Sequence, residues 1–263
     1  MKPVVKFVKK ILRLESHSHV THIDGLVYIG STFHGYHVPD NYLNPDSVCY
    51  CVGAGTDISL DVELVTCFGA QVFIFDPMPY ALDHFNELLD KTTNGQLLTI
   101  TEADHKYTYQ VNSKQLETIT FIETGLWDEK KQIRFYHPSK ENYAGHSITN
   151  LQNTSEYIEA SVDTMANCMK ALNHSKVDVL KIEIEGSEYT VIDNVLKDKL
   201  DVKMILVEFD EFHHREGKKL ATLRRISQST NQLINAGYKL VHSLSYYKRT
   251  FIRNDIFNEL QKK

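Results

Sequence analysis

The chain predicts an α/β fold, a mostly parallel sheet with helices on both faces, and three observations predict it. From residue 48 onward, apolar runs of strand length alternate with stretches of helical period, the pattern of strands joined by helical crossovers. The first run, Ser47-Val-Cys-Tyr-Cys-Val, enters Gly53-Ala-Gly55-Thr-Asp57 and then a helical stretch. The next, Gln71-Val-Phe-Ile-Phe, stops on Asp76. A strand, a Gly-x-Gly turn, a helix and a second strand ending in a carboxylate form half of a nucleotide-type binding site.

The bulk numbers fit one domain with an appendage. The chain has 263 residues, 42% apolar and 24% charged, long enough to bury a full core. A net charge of −5 argues against a broad nucleic-acid surface, so no nucleic-acid partner is expected. The four cysteines (Cys49, Cys51, Cys67 and Cys168) have no zinc-site spacing and read as core thiols of a reduced compartment. No apolar run spans a bilayer and no signal peptide is visible, so the expected location is cytoplasmic.

Residues 1–24 read as a basic amphipathic helix and a linker, and 25–263 as the domain. Val4, Val5, Val8, Ile11 and Leu12 form one helical stripe, with Lys2, Lys6, Lys9 and Arg13 opposite. That helix either docks on the body or touches an anionic membrane surface or partner through residues 1–14. His17, His19 and His22 lack a partner carboxylate or thiol and read as linker, not metal ligands. Residues 25–31 read as a short strand and 33–44 as a loop holding at most a brief strand; together they cap the glycine turn.

Then come strand 48–52, helix 57–68 closed by Gly69, strand 71–75, and helix 79–91 with Pro79 in its first turn. Strand 118–122 follows, with 126–136 as a turn inside a hairpin and 137–153 as a polar loop. Strand 157–161, helix 163–172 opened by Asp163, strand 178–184, helix 187–196 and strand 204–209 continue the alternation. Helix 217–235, ended by Gly237, and closing antiparallel strands 239–243 and 249–253 complete the chain.

In an open parallel sheet, ligands sit beyond the carboxyl ends of the strands. Gly53, Gly55 and Asp57 stand there, then Asp76, Glu123, Glu183 and Glu185, and Glu208, Asp210 and Glu211. Glu183 interrupts an apolar strand, where an uncompensated charge is costly, so something must satisfy it. A dinucleotide needs its pyrophosphate at the helix N-terminus and a third glycine. Ile58 occupies that third position, and Asp57 stands where phosphates would lie. A cationic ligand without phosphates fits better, and S-adenosylmethionine is one, with its ribose hydroxyls on Asp76.

Val52-Gly-Ala-Gly-Thr-Asp-Ile-Ser, Phe75-Asp-Pro-Met-Pro, Gly125-Leu-Trp-Asp-Glu, Asp178-Val-Leu-Lys-Ile-Glu-Ile-Glu-Gly-Ser-Glu-Tyr and Ile205-Leu-Val-Glu-Phe resemble the successive motifs of FkbM-type S-adenosylmethionine-dependent methyltransferases. The likeness runs over residues 25–254, and the block from Asp178 is its most specific part. It implies a seven-stranded, Rossmann-like class I methyltransferase fold and O-methylation of a hydroxyl on a small molecule or a sugar or polysaccharide precursor. It places Gly53, Gly55 and Asp57 at the methionine end of the cofactor, Asp76 with Pro77 at the ribose, and the Glu123–Leu126 turn at the adenine. His146 and the stretch 210–216 depart from the family pattern, so the acceptor is not carried over.

Methyl transfer is an in-line displacement, helped by a base that takes the hydroxyl proton. Glu183, Glu185 and His146 are the candidate catalytic residues, with Glu183 also able to hold the cofactor. His213 and His214 are further base candidates, and no metal is assigned. Two other readings use the same fold: a cofactor-binding but non-catalytic assembly protein, and a nicotinamide-dependent oxidoreductase, which Asp57 and Ile58 oppose. The oligomeric state is not legible.

Overall fold

The computed structural model describes residues 20–137, 146, 148, 150, 154–211 and 219–262. The predicted helix 1–14 and the pair His213 and His214 lie outside the described residues.

β1 (Leu26–Ile29) and β2 (Tyr36–Pro39) pair as an antiparallel hairpin. β3 (Val48–Val52) runs through the glycine turn into α1 (Ser59–Phe68). Gly69 closes that helix at φ 70°, its N–H bonding back to the Val65 carbonyl and the next N–H, of Ala70, to that of Leu64. β4 (Gln71–Phe75) leads to α2 (Pro79–Thr93), whose proline fills a first-turn position that needs no N–H donor. Next come β5 (Thr99–Glu102), β6 (His105–Thr108), α3 (Ser113–Leu116), β7 (Ile119–Ile122), β8 (Gly125–Leu126) and β9 (Lys131–Tyr136). β10 (Tyr157–Asp163), α4 (Met165–Ala171), β11 (Val177–Ile182), α5 (Glu188–Lys197) and β12 (Val202–Glu208) follow. α6 (Lys219–Asn235), β13 (Tyr238–Ser243), β14 (Lys248–Arg253) and α7 (Asn254–Leu260) end the chain.

Seven strands form the main sheet in the order β7-β4-β3-β11-β12-β14-β13. Every pairing from β7 to β12 is parallel, and β14 runs antiparallel to both its neighbours. The expected mostly parallel seven-stranded sheet is therefore present. Alternate residues of each strand feed two cores. Cys49 and Cys51 of β3 pack on one face with Leu60 and Leu64 of α1, Phe85 of α2 and Phe257 of α7. Val48, Tyr50 and Val52 pack on the other with Met169 of α4, Ile192 of α5 and Ile226 of α6.

Several expected elements are corrected. Residues 131–136 are a strand, not part of a turn; β9 pairs antiparallel with β10 in a separate three-stranded sheet with β8. Thr164, not Asp163, caps α4, its hydroxyl accepting from Asn167 N–H. The β5–β6 hairpin and α7 were not legible. The hairpin is largely exposed, so it lacks an apolar alternation, and its turn uses Ala103 and Asp104 at φ 43° and 70° where glycine or asparagine is usual.

The largest consequence concerns β11, which ends at Ile182 instead of Ile184. Glu183 is thus the first residue past the strand, not a charge inside it. Its N–H still bonds to Val52 carbonyl at 3.0 Å, which seats it against the glycine turn. A Cβ on Gly53, at φ 85°, would stand 1.9 Å from the Glu183 carbonyl oxygen, so only glycine allows this approach.

Candidate functional site

Because β3, β4, β7, β11 and β12 run parallel, their carboxyl ends share one rim. That rim brings together Gly53, Gly55, Asp57, Asp76, Glu183 and Glu185.

The glycine turn is closed from within. Asp76, 5% exposed, accepts from Ala54 N–H at 2.8 Å and Gly55 N–H at 3.1 Å through Oδ2, and from Met78 N–H at 2.9 Å through Oδ1. Burial raises its pKa above the usual range, and those three N–H donors work against the rise. The amides entering α1 are also taken: Ile58 N–H donates to the Tyr109 hydroxyl at 3.1 Å and Ser59 N–H to Asp57 Oδ1 at 2.8 Å. A phosphate would find the amides of Ala54, Gly55, Ile58 and Ser59 already bonded to the protein. Above Gly55 lies open space, with nothing within 4 Å of where a Cβ would stand.

Glu183 sits in a net of cations. Lys181, near the carboxyl end of β11 and almost fully buried, places Nζ 3.3 Å from Glu183 Oε2 and donates to the Gly53 carbonyl. His34, in the turn between β1 and β2, puts Nδ1 2.8 Å from Glu183 Oε1 and Nε2 3.0 Å from Glu102 Oε2. Lys248, also buried, donates to Glu208 at 2.7 Å and to the Phe33 carbonyl at 2.6 Å, which ties the β1–β2 turn to β14. Burial alone would raise the Glu183 pKa, but Lys181, Lys248 and His34 hold it well below the usual range. Burial likewise disfavours charge on His34, yet Glu183 and Glu102 outweigh it and push its pKa up to about 10. Glu183 is therefore a firm carboxylate, a strong hydrogen-bond acceptor and a weak base.

A second carboxylate group adjoins it with the opposite balance. The Glu185-Gly186 turn has φ 55° and 96°, left-handed at a residue with a side chain, and Glu185 N–H donates to Asp210 Oδ2 at 3.2 Å. Glu188, fully buried in the first turn of α5, accepts from Gly186 N–H at 2.8 Å and Ile184 N–H at 3.3 Å. Burial raises Glu188 to about 8, against the pull of those backbone donors, with Glu185 adding to the rise. Burial, then Glu185, Glu188, Glu208 and Glu183, push Asp210 well above the usual range.

The remaining candidates lie around Tyr80 and beyond. His146 stacks on Tyr80 with ring centroids 5.2 Å apart, and its Nε2 lies 3.1 Å from His137 Nδ1. The Tyr80 hydroxyl bonds the backbone at His146 and feels the charges of Asp76 and Glu185, so His146 and Glu185 reach one locality. Pro77 lies near Gly125, where a Cβ would meet its Cγ at 3.4 Å. Leu126 is buried in the second core, and Glu123 is exposed. Asp76 and Glu185 thus act electrostatically on Tyr80, on which His146 stacks, and Asp57 and Glu183 act on His34, while no side-chain hydrogen bond of Glu123 is found among the described residues.

His34, Glu102, Lys181 and Lys248 do not stand out in the sequence as site residues. Lys181 carries a signal, since it interrupts the same apolar run as Glu183 and a buried lysine demands a partner. His34 carries none.

The Methyltransferase FkbM domain matches residues 52–240. Among solved structures, the FkbM methyltransferase of Methylobacillus flagellatus KT is similar over 80% of this chain at 12% identity and a TM-score of 0.45. This chain spans 44% of that protein's length. The fibrillarin pre-rRNA processing protein of Methanococcus jannaschii is similar over 80% of this chain and 68% of its own, at 14% identity and a TM-score of 0.39. No curated protein matches the sequence. No helix among the described residues is long and apolar enough to cross a membrane.

Proposed function

The chain belongs to the FkbM family of methyltransferases, and on that premise we propose that it moves a methyl group from S-adenosylmethionine to a hydroxyl of a small molecule or a sugar or polysaccharide precursor. The observation that carries this reading is the glycine turn. Its entry amides are taken by Asp76, Tyr109 and Asp57, which leaves a poor seat for a pyrophosphate. The open space over Gly55 and the acidic rim suit a cationic ligand without phosphates.

The residues fit such a donor. Gly53 and Gly55, with Asp57, would face its methionine end, and Asp76 with Pro77 its ribose. Asp76 would do so while holding the turn in shape through Oδ1, which takes only the Met78 N–H and keeps a second lone pair. The Glu123–Leu126 turn would border the adenine. When bound, the donor supplies an electrophilic methyl on a sulfonium and leaves as a neutral thioether.

This chain's own residues then have two roles. One is to hold the acceptor oxygen in line, which accounts for much of the acceleration available to such a displacement. The other is to take the hydroxyl proton. Glu183, tied to Lys181 and His34, serves as a fixed negative anchor for the cationic donor. Glu185, whose charge reaches Tyr80, and His146, which stacks on it, are the proton acceptors of this reading.

Calorimetry of the purified chain with S-adenosylhomocysteine, the demethylated product, tests it. Binding is expected, weakened more than about tenfold (~1.4 kcal/mol) in Asp76→Ala. Absence of binding at millimolar concentration overturns the donor assignment, and an unchanged affinity in Asp76→Ala removes that residue from the site.

A further inference from the structure

His34 is held in a way that the methyl-donor site does not require. It lies in the β1–β2 turn, Asp57 in the glycine turn, and Glu102 at the end of β5. These three separate elements bring one imidazole nitrogen and one oxygen from each carboxylate to within 4.8 Å of one another. Behind the imidazole, Glu183 Oε1 accepts from Nδ1 at 2.8 Å, and Glu183 is itself fixed by Lys181 at 3.3 Å. A carboxylate on one ring nitrogen sets the tautomer and aims the other, the arrangement found behind metal-ligating histidines. Here the aimed atom is Nε2, and it faces Glu102 at 3.0 Å. Asp57 bonds the Ser59 amide through Oδ1. Its other oxygen can serve a ligand. Beside the three groups is a cavity of about 150 Å³, lined by Asp57 and Glu102 together with Tyr28, Phe33, Ile100 and Tyr107. That is room for an ion, its waters and part of a second ligand.

We propose that His34, Asp57 and Glu102 form a divalent metal site, ligated through one oxygen of each carboxylate and through His34 Nε2, whose proton the metal displaces to solvent, with its remaining positions open to the cavity. One imidazole with two carboxylates suits manganese, iron, cobalt or zinc better than magnesium or calcium, which favour all-oxygen shells. Three protein ligands with open positions are the layout of a catalytic site, not a structural one. The role of the site rests on the methyl-transfer reading. A metal beside the glycine turn holds the acceptor oxygen and makes its proton easier to lose.

The test uses the metal-stripped full chain titrated with manganese chloride, free Mn²⁺ being followed by electron paramagnetic resonance, with and without saturating S-adenosylhomocysteine. One Mn²⁺ per chain is expected in both conditions. His34→Ala and Glu102→Gln should each weaken it at least about tenfold, and Glu183→Gln, which removes the charge behind the imidazole and also the ion partner of Lys181, by about 10- to 100-fold in protein that keeps the wild-type circular dichroism spectrum. Glu102 is exposed on a hairpin, so its variant is expected to keep the wild-type circular dichroism spectrum. Failure to saturate, binding that survives both ligand variants, or loss of Mn²⁺ when the product binds would each overturn the site. Product affinity measured in chelator reports the donor site alone, so the two readings fail separately.

Discussion

Glu183 and Asp210 stand just past the ends of neighbouring parallel strands, and their surroundings drive their protons in opposite directions. Around Glu183 gather Lys181, Lys248 and His34, and the carboxylate stays ionised despite burial. Around Asp210 gather Glu185, Glu188, Glu208 and again Glu183, and the carboxyl is driven toward its neutral form. Burial acts alike on both. What differs is the sign of the charges within reach, and that sign decides which group serves as an anion and which as an uncharged hydrogen-bonding group. One rim thereby holds a permanent negative pole next to a pair of acids that titrate far from their usual range, as functional sites often do.

Removing the cation from the first group should give the largest effect. Lys181→Met leaves Glu183 largely buried with its closest ammonium gone, and breaking such a pair costs about 3–5 kcal/mol. Urea denaturation at neutral pH should show that loss. A loss under about 1 kcal/mol would mean that His34 and Lys248 suffice, and that the contrast does not depend on Lys181.

The pH dependence of stability separates the two groups next. Glu183 has a depressed pKa, so its contribution is present above its ordinary 4.5 and is lost as the pH falls below that. Glu188 is raised from 4.5 to about 8, so the folded state binds the extra proton and stability falls as the pH rises between those values. His34, raised from 6.5 to about 10, adds a second alkaline loss between its two values. The slope from each group is at most about 1.4 kcal/mol per pH unit. Asp61 and Asp76 are raised by burial too, and His37, His84, His174 and His242 are lowered by it, so the acid pair is read as a difference. The stability of the wild type relative to Glu188→Gln combined with Asp210→Asn, from urea unfolding at pH 4 to 9, should fall between about 4.5 and 8. A difference that stays level or rises over that range would contradict this.

The smallest effect sharpens the comparison most. Asp210→Asn replaces a carboxyl that its neighbours drive toward the neutral form by a neutral amide of the same shape, and should change stability by less than about 1 kcal/mol. A loss of several kcal/mol would show that Asp210 is ionised and belongs with Glu183.

The sheet and the glycine turn were legible because their causes are local. Buried parallel strands read as short apolar runs, Gly53 and Gly55 mark the turn, and Pro79 and Gly69 mark helix ends within a few residues of where they act. Glu183 was legible as a problem, a charge in apolar company, but not as a solution. The outlying β5–β6 hairpin gave no signal, because an exposed hairpin needs no apolar alternation to persist.

By itself, then, the sequence determined the α/β alternation, the turn after β3 and the row of carboxylates at the strand ends, since periodicity and turn chemistry act over a few residues. Only the tertiary structure decided the charge state of that row. His34 meets Glu183 across 149 positions of chain, and Lys248 reaches back to Phe33 across 215. Electrostatic influence depends on distance in space and on burial, and neither is written into the spacing of residues along the chain.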